Sequence, residues 1–180
     1  MYISEIFTEI PTDKENRNKT EIKFYEALKK LNIPFERVDN DAAYTMEECE
    51  AIDKAMNVEC AKNVFICNQK KTTFFLLVMP ADKNFDTGSF SKKMGLSHMS
   101  FASPELMIEH LGTTPGSASV AGLANDEDDY IQVIIDKEIA DSEYFGCNPG
   151  INTAHYKIKT ADLIKKYLPS IHHRPRIVDL

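Results

Sequence analysis

The run from Thr72 to Met79 sets the tightest limit on what this chain can become. Thr73, Phe75, Leu77 and Met79 point to one side of an extended segment, and Phe74, Leu76 and Val78 to the other. A strand apolar on both sides belongs inside a sheet that is covered on both faces. Its partner comes just before it. Ala61 to Asn68 places Val64 and Ile66 on one side and Phe65 and Cys67 on the other, and Gln69-Lys70-Lys71 supplies a polar turn. A central hairpin therefore needs helices above and below it.

Candidates for that cover are easy to find. Residues 18–31 carry Ile22, Tyr25, Leu28 and Leu31 near helical spacing, with Asn32 and Pro34 as stop signals. Phe35 to Val38 reads as a short strand. Thr45 and Glu48 form a T-x-x-E capping box that opens a helix to about Met56. Asp86 or Ser89 caps a short helix that Gly95 ends, His98 to Phe101 is a weak strand, and Ser103-Pro104-Glu105 starts a helix that stops at Gly112. Beyond it, Asn125 to Asp128 reads as the turn of a second hairpin whose outgoing strand is Tyr130 to Ile135. A strand from Ile151 to Ile158 follows, then a helix capped by Thr160, and a tail from Pro169 that is either loose or docked. The expected fold is a single mixed α/β (α+β) domain over residues 1–180, with a central, mainly antiparallel sheet or partial barrel surrounded by helices.

Several function classes drop out. A net charge of −7 argues against a nonspecific coat for nucleic acid, although basic residues do gather beyond Tyr156, from Lys157 to Arg176. The start of the chain is acidic, and Phe74 to Pro80 is too short an apolar run to span a bilayer, so a soluble, cytoplasmic protein with no membrane partner is expected. Cys49, Cys60, Cys67 and Cys147 show no C-x-x-C pairing and read as reduced, partly buried thiols. The acidic run 126–129 lacks a calcium-loop spacing and reads as a solvated turn, and His172-His173 as surface decoration. No G-x-S-x-G, H-E-x-x-H, Walker or dinucleotide fingerprint occurs. No metal or organic cofactor is expected.

Two features remain. Residues 112–126 are built almost entirely of small side chains, with Gly112, Pro115, Gly116 and Gly122 shaping the backbone. They make either an ordinary helix cap and loop, or a loop whose N–H groups approach a ligand closely. Lys62, at the start of the hairpin, is either a surface lysine at a strand end or an ammonium that holds a phosphate or carboxylate.

At these residues the chain resembles a known family. Ile33-Pro34-Phe35, Tyr44-Thr45-Met46-Glu47-Glu48, Lys62-Asn63-Val64-Phe65-Ile66, Phe101-Ala102-Ser103-Pro104-Glu105, Gly116-Ser117, Gly122-Leu123, Asn125-Asp126, Asn148-Pro149 and Asn152-Thr153-Ala154 are weak singly and specific in their shared order. They resemble the freestanding prolyl-tRNA editing deacylases, the ProX/PrdX type of the YbaK and synthetase-insertion superfamily. The resemblance implies hydrolysis of a wrongly attached amino acid, most often alanine, from tRNA(Pro), with aminoacylated tRNA as partner and no DNA. It also implies that Lys62 is the family's characteristic lysine and that Gly116 to Val120 is its G-x-x-x-P backbone loop. Catalytic roles then fall to Lys62 and Gly116. Thr45, Ser117, Ala118, Asn148 and Asn152 become substrate-binding candidates. In the mechanism proposed for the superfamily, the vicinal hydroxyl of the tRNA helps to activate a water, so no protein base is obligatory. Two departures bear on substrate preference: Val120 stands where the family has proline, and Asn148-Pro149 where it often has His-Pro. Cysteine or serine as the removed amino acid, or a non-catalytic sensor of tRNA or an amino acid in proline metabolism, are the alternatives.

Overall fold

The central hairpin forms as its two-sided pattern requires. In the computed structural model, which describes residues 1–180, β2 (Lys62–Asn68) pairs antiparallel with β3 (Phe74–Met79), and Lys62 lies opposite Met79. Every residue of β3 is buried. Phe74, Leu76 and Val78 enter the main core with Phe65 and Cys67, while Phe75 and Leu77 join Ile66 in a smaller cluster on the other face.

This hairpin lies inside a five-stranded sheet, in the order β4 (Met99–Phe101), β2, β3, β5 (Ile131–Asp136), β8 (Arg176–Val178). A second sheet holds β1 (Glu36–Asp39), β7 (Ala154–Lys159) and β6 (Tyr144–Cys147), all antiparallel. The two are stitched where Cys60 bridges Gly146 and the Ala61 N–H donates to the Gly146 carbonyl at 2.8 Å. That seam explains one glycine: a Cβ on Gly146 would sit 2.7 Å from Val58 Cγ1. The result is a mostly antiparallel, partly closed sheet system with helices around it.

The helices begin and end on the expected signals. In α1 (Lys19–Lys30) the Asn18 side chain caps the first turn, and Phe24, Tyr25 and Leu28 are buried; Ile22 is only half-buried because the stripe centres on Phe24. In α2 (Met46–Met56) the Thr45–Glu48 box closes in both directions, and Ile52 and Met56 pack on Val38 against the outer face of the small sheet. Asp86 and Gly95 bracket α3 (Thr87–Met94), and Ser103 and Gly112 bracket α4 (Pro104–Leu111).

Five expectations need correction. No second hairpin exists at 125–128: Val120–Asn125 is a short 3-10 turn capped by Ser119, and β5 runs parallel to β3, as a crossover through α3 and α4 allows. The strand expected from Ile151 starts at Ala154, because the preceding loop folds into a turn in which Asn148 Oδ1 accepts the Gly150 N–H at 2.9 Å. Thr160 lies inside the first turn of its helix and does not cap it. The acidic run is not merely solvated, nor is His173 decoration. Asp126 is buried and accepts the N–H groups of Tyr130 and Ile131, and His173, also buried, meets it at 3.0 Å. Through that contact and β8, which pairs with β5, the tail is docked.

Candidate active site

A cavity of about 300 Å³ lies where the two sheets, α2 and the small-residue loop converge. Lys62 and Asn63 enter it from the start of β2, Cys49, Ile52 and Asp53 from α2, and Gly116 and Ala118 from the small-residue loop. Asn148 and Asn152 come from the segment leading into β7, and His155 from β7 itself. Residues far apart in sequence thus meet in one hollow.

The loop's geometry follows from its sequence. The Ser117 N–H donates to the Thr114 carbonyl at 2.9 Å, with Pro115 and Gly116 between them and Gly116 at φ +85°. That is the arrangement of a type II turn, which wants proline second and glycine third. The turn consumes the Ser117 donor, and Ser117 itself is buried outside the cavity lining. The N–H groups of Gly116 and Ala118 donate to no other group in the chain. A second tie fixes the loop against its neighbour: Ser119 Oγ donates to the Asn148 carbonyl at 2.5 Å, and Asn148 Nδ2 to the Ala118 carbonyl at 3.4 Å.

Lys62 is half-buried, and its ammonium donates to the carbonyls of Ala81 and Lys83. No carboxylate lies within ion-pairing distance of it, whereas nearby Lys83 is held by Asp136 and Glu138. Its charge is therefore uncompensated at the cavity wall.

Thr45 is placed differently from expectation. Its Oγ1 accepts the Glu48 N–H at 3.2 Å, and it faces an adjoining hollow of about 790 Å³ that shares Cys49, Asp53, Cys60 and Ala81 with the smaller one. Tyr44, Met46 and Tyr144 rim this outer space, and its charged lining groups, among them Glu50, Asp53 and Glu138, are all acidic.

The thiols do not supply a nucleophile. Burial pushes the Cys147 thiol up to about 11, and it receives the Asn63 Nδ2 at 3.1 Å. Cys60 is raised further, by burial and by Asp53. All four cysteines are free. Of the basic residues beyond Tyr156, Lys157 pairs with Glu36 and Lys166 with Asp162, so part of that charge is spent within the fold.

His155 was not singled out from the sequence. In sequence it falls in the polar phase of β7 with Lys157 and Lys159, yet it is buried. It pairs across from Val38, on the face that α2 covers.

The family model for the aminoacyl-tRNA editing domain matches residues 40–166. The chain belongs to that family. The matched span contains every residue of the cavity named above. The editing domain is 30% identical over 138 residues to the prolyl-tRNA editing protein ProX of Acetoanaerobium sticklandii, covering 77% of this chain and 84% of that protein. It is 26% identical over 155 residues to the prolyl-tRNA synthetase associated domain-containing protein 1 of Danio rerio, with 85% and 83% covered. A crystal structure described as that of a candidate trans-editing enzyme for prolyl tRNA synthetase superposes with a TM-score of 0.67 at 15% identity, covering 92% of this chain and 98% of the other; that likeness establishes the fold. Membership brings tRNA as the partner and deacylation as the family's reaction. No helix is long and apolar enough to cross a membrane.

Proposed function

We propose that this editing domain acts in trans to hydrolyse alanine from mischarged tRNA(Pro), with Lys62 and the Gly116 loop as its working parts. The observation that carries the reading is the shared cavity, whose lining brings together an ammonium with no carboxylate partner and two loop residues whose N–H groups are unused within the chain. An aminoacyl ester is already activated, so the protein's task is to position it and to stabilise charge as water adds. The N–H groups of Gly116 and Ala118 are the donors for the developing oxyanion. Lys62 holds the terminal phosphate or orients the ester with the hydrogen that Ala81 and Lys83 leave unused. Asn148 and Asn152 line the aminoacyl side. Thr45 contributes by fixing the start of α2 beside the outer hollow, where a terminal nucleoside would lie between Tyr44 and Tyr144.

Selectivity for alanine then rests on the side-chain size that the aminoacyl end of the cavity admits. Methylene-scale discrimination in such a pocket is worth only about 1–3 kcal/mol, which is why a separate hydrolytic sieve is useful. The names of the relatives support proline tRNA as the carrier.

The test is release of labelled alanine from Ala-tRNA(Pro), with Pro-tRNA(Pro), Cys-tRNA(Pro) and Ser-tRNA(Pro) alongside. Alanine should be released selectively, and Lys62→Ala should slow it about 10²–10³-fold, the scale of losing one charge-stabilising donor, with the unfolding midpoint little changed. Release of cysteine or serine instead keeps the mechanism and changes the substrate. No turnover on any ester, with measurable tRNA binding, would leave a sensor.

A further inference from the structure

His155 is the one imidazole in the cavity, and its two nitrogens have different fates. Nδ1 lies 3.0 Å from Asn40 Oδ1. The orientation of the Asn40 amide is fixed independently, because Nδ2 donates to the carbonyls of Asp41 at 2.8 Å and Asn152 at 3.0 Å. Asn40 Oδ1 is thus an acceptor, and His155 Nδ1 must carry the hydrogen. The lone pair is left on Nε2. No group of the chain donates to Nε2, and it is not among the polar atoms sealed from solvent. That nitrogen is therefore open to water or a ligand and is not spent within the fold.

The charge state suits a proton acceptor. Burial lowers the His155 pKa to about 4, so the ring is neutral at physiological pH. The titratable groups that share the cavity are Asp53 and Cys49 from α2, with Cys60 and Lys62 at the start of β2; burial is the cause of the shift, and none of these charges enters it.

We propose that His155 Nε2 takes the proton from the water that attacks the aminoacyl ester, with Asn40 as the positioning residue that holds the tautomer. The proposal rests on the deacylase reading above. As the water oxygen bonds to the ester carbon, its proton passes to Nε2 and the carbonyl oxygen becomes the oxyanion before Gly116 and Ala118. When the intermediate collapses, the bond from carbon to the ribose oxygen breaks and the imidazolium returns its proton to that oxygen. Amino acid and a restored terminal hydroxyl leave, and nothing is oxidised or reduced. The role is distinct from that of the vicinal hydroxyl, which would orient the water without having to hold its proton.

The experiment is single-turnover deacylation of Ala-tRNA(Pro) between about pH 4 and pH 8, corrected for spontaneous hydrolysis, for wild type and His155→Gln. Histidine-labelled wild type is followed in parallel by ¹⁵N NMR, with and without a non-hydrolysable amide analogue of alanyl-adenosine. The wild-type rate should rise from the acid side and level off as His155 loses its proton. His155→Gln should be slower by about 10²–10⁴-fold and lack that limb. The NMR should show an unprotonated Nε2 that shifts when the analogue binds. An active wild type whose His155→Gln variant keeps both limb and rate overturns the base and leaves the deacylase reading standing. An inactive wild type overturns both. Should the variant fail to fold, an Nε2 that is protonated or unmoved by the analogue overturns the base by itself.

Discussion

His155 and His173 are both sunk in this fold, at 9% and 1% exposure, and their partners make them opposites. His155 faces an amide, which sets its tautomer without adding charge, and burial drives it toward the neutral form. His173 directs Nδ1 to the Ile171 carbonyl at 2.8 Å and Nε2 to the Asp126 carboxylate at 3.0 Å. Both of those oxygens accept, so both ring nitrogens donate and the ring is an imidazolium. Burial alone would lower its pKa, but Asp126, the Ile171 carbonyl and Asp129 together outweigh burial and the net direction is upward. Asp126 answers in kind: burial pulls its pKa up, yet His173 and the Tyr130 and Ile131 N–H groups bring it below the usual range. One histidine keeps an unused valence at a cavity, and the other spends both on holding a tail. A buried histidine declares its role by what its second nitrogen does.

The largest expected effect comes from breaking the satisfied pair. Asp126→Ala strands a buried imidazolium and frees the N–H groups of Tyr130 and Ile131, and should cost about 3–5 kcal/mol in urea unfolding. Deacylation per folded molecule should be unchanged, since neither Asp126 nor His173 lines the cavity. A drop in activity with intact stability would reverse the roles assigned to the two histidines.

Titration should then separate them by sign. The His155 pKa is depressed in the folded state, so the unfolded chain binds its proton first. Its contribution is present above about pH 6.5 and is lost as pH falls toward 4, about 3 kcal/mol in all. The His173 pKa is raised, so its contribution is complete below the unfolded value of about 6.5 and is lost as pH rises through the folded value. Urea midpoints measured across this range should climb on the acid side in wild type and climb less in His155→Gln. On the alkaline side they should fall in wild type and stay flat in His173→Gln. An acid-side climb undiminished in His155→Gln, or an alkaline-side fall that persists in His173→Gln, would erase the distinction.

The two regions also differ in how far they could be read in advance. The hairpin of β2 and β3 was legible because each side chain's face follows from a period of two, and the capping signals at Thr45, Asp86 and Ser103 act within one turn of chain. Lys62, Gly116, Ala118, Asn148 and Asn152 were named from resemblance, and they do line one cavity. His155 was missed because its meaning depends on Asn40, far away in the chain, and on the covering α2. His173 was dismissed for the same reason, since Asp126 supplies the partner. Thr45 and Ser117 lie outside the cavity lining, with the Thr45 Oγ1 committed to a helix cap and the Ser117 N–H to a turn. Periodic and local signals survive in sequence, whereas pairings across the fold leave no local trace.

The smallest expected effect tests whether the Gly116 loop is independent of both histidines. Val120 stands where the family has proline, and the structure shows why either residue fits. Its N–H donates to nothing, and it is the first residue of the 3-10 turn. Ser119 before it is extended, at φ −158° and ψ 150°, as a residue preceding proline prefers. Val120→Pro should therefore change stability by no more than about 1 kcal/mol, its lost packing offset by a stiffer unfolded chain. One residue on, Ala121 donates its N–H to Ser119 Oγ at 3.1 Å. Proline there removes the bond that caps the turn and should cost about 3 kcal/mol. Both variants belong in the same urea series, with the acid limb of deacylation recorded alongside. If Val120→Pro leaves that limb in place, the proton acceptor is set by Asn40 and the small sheet. If the limb moves, the loop and the imidazole form one unit, and His155 depends on the loop as His173 depends on the tail.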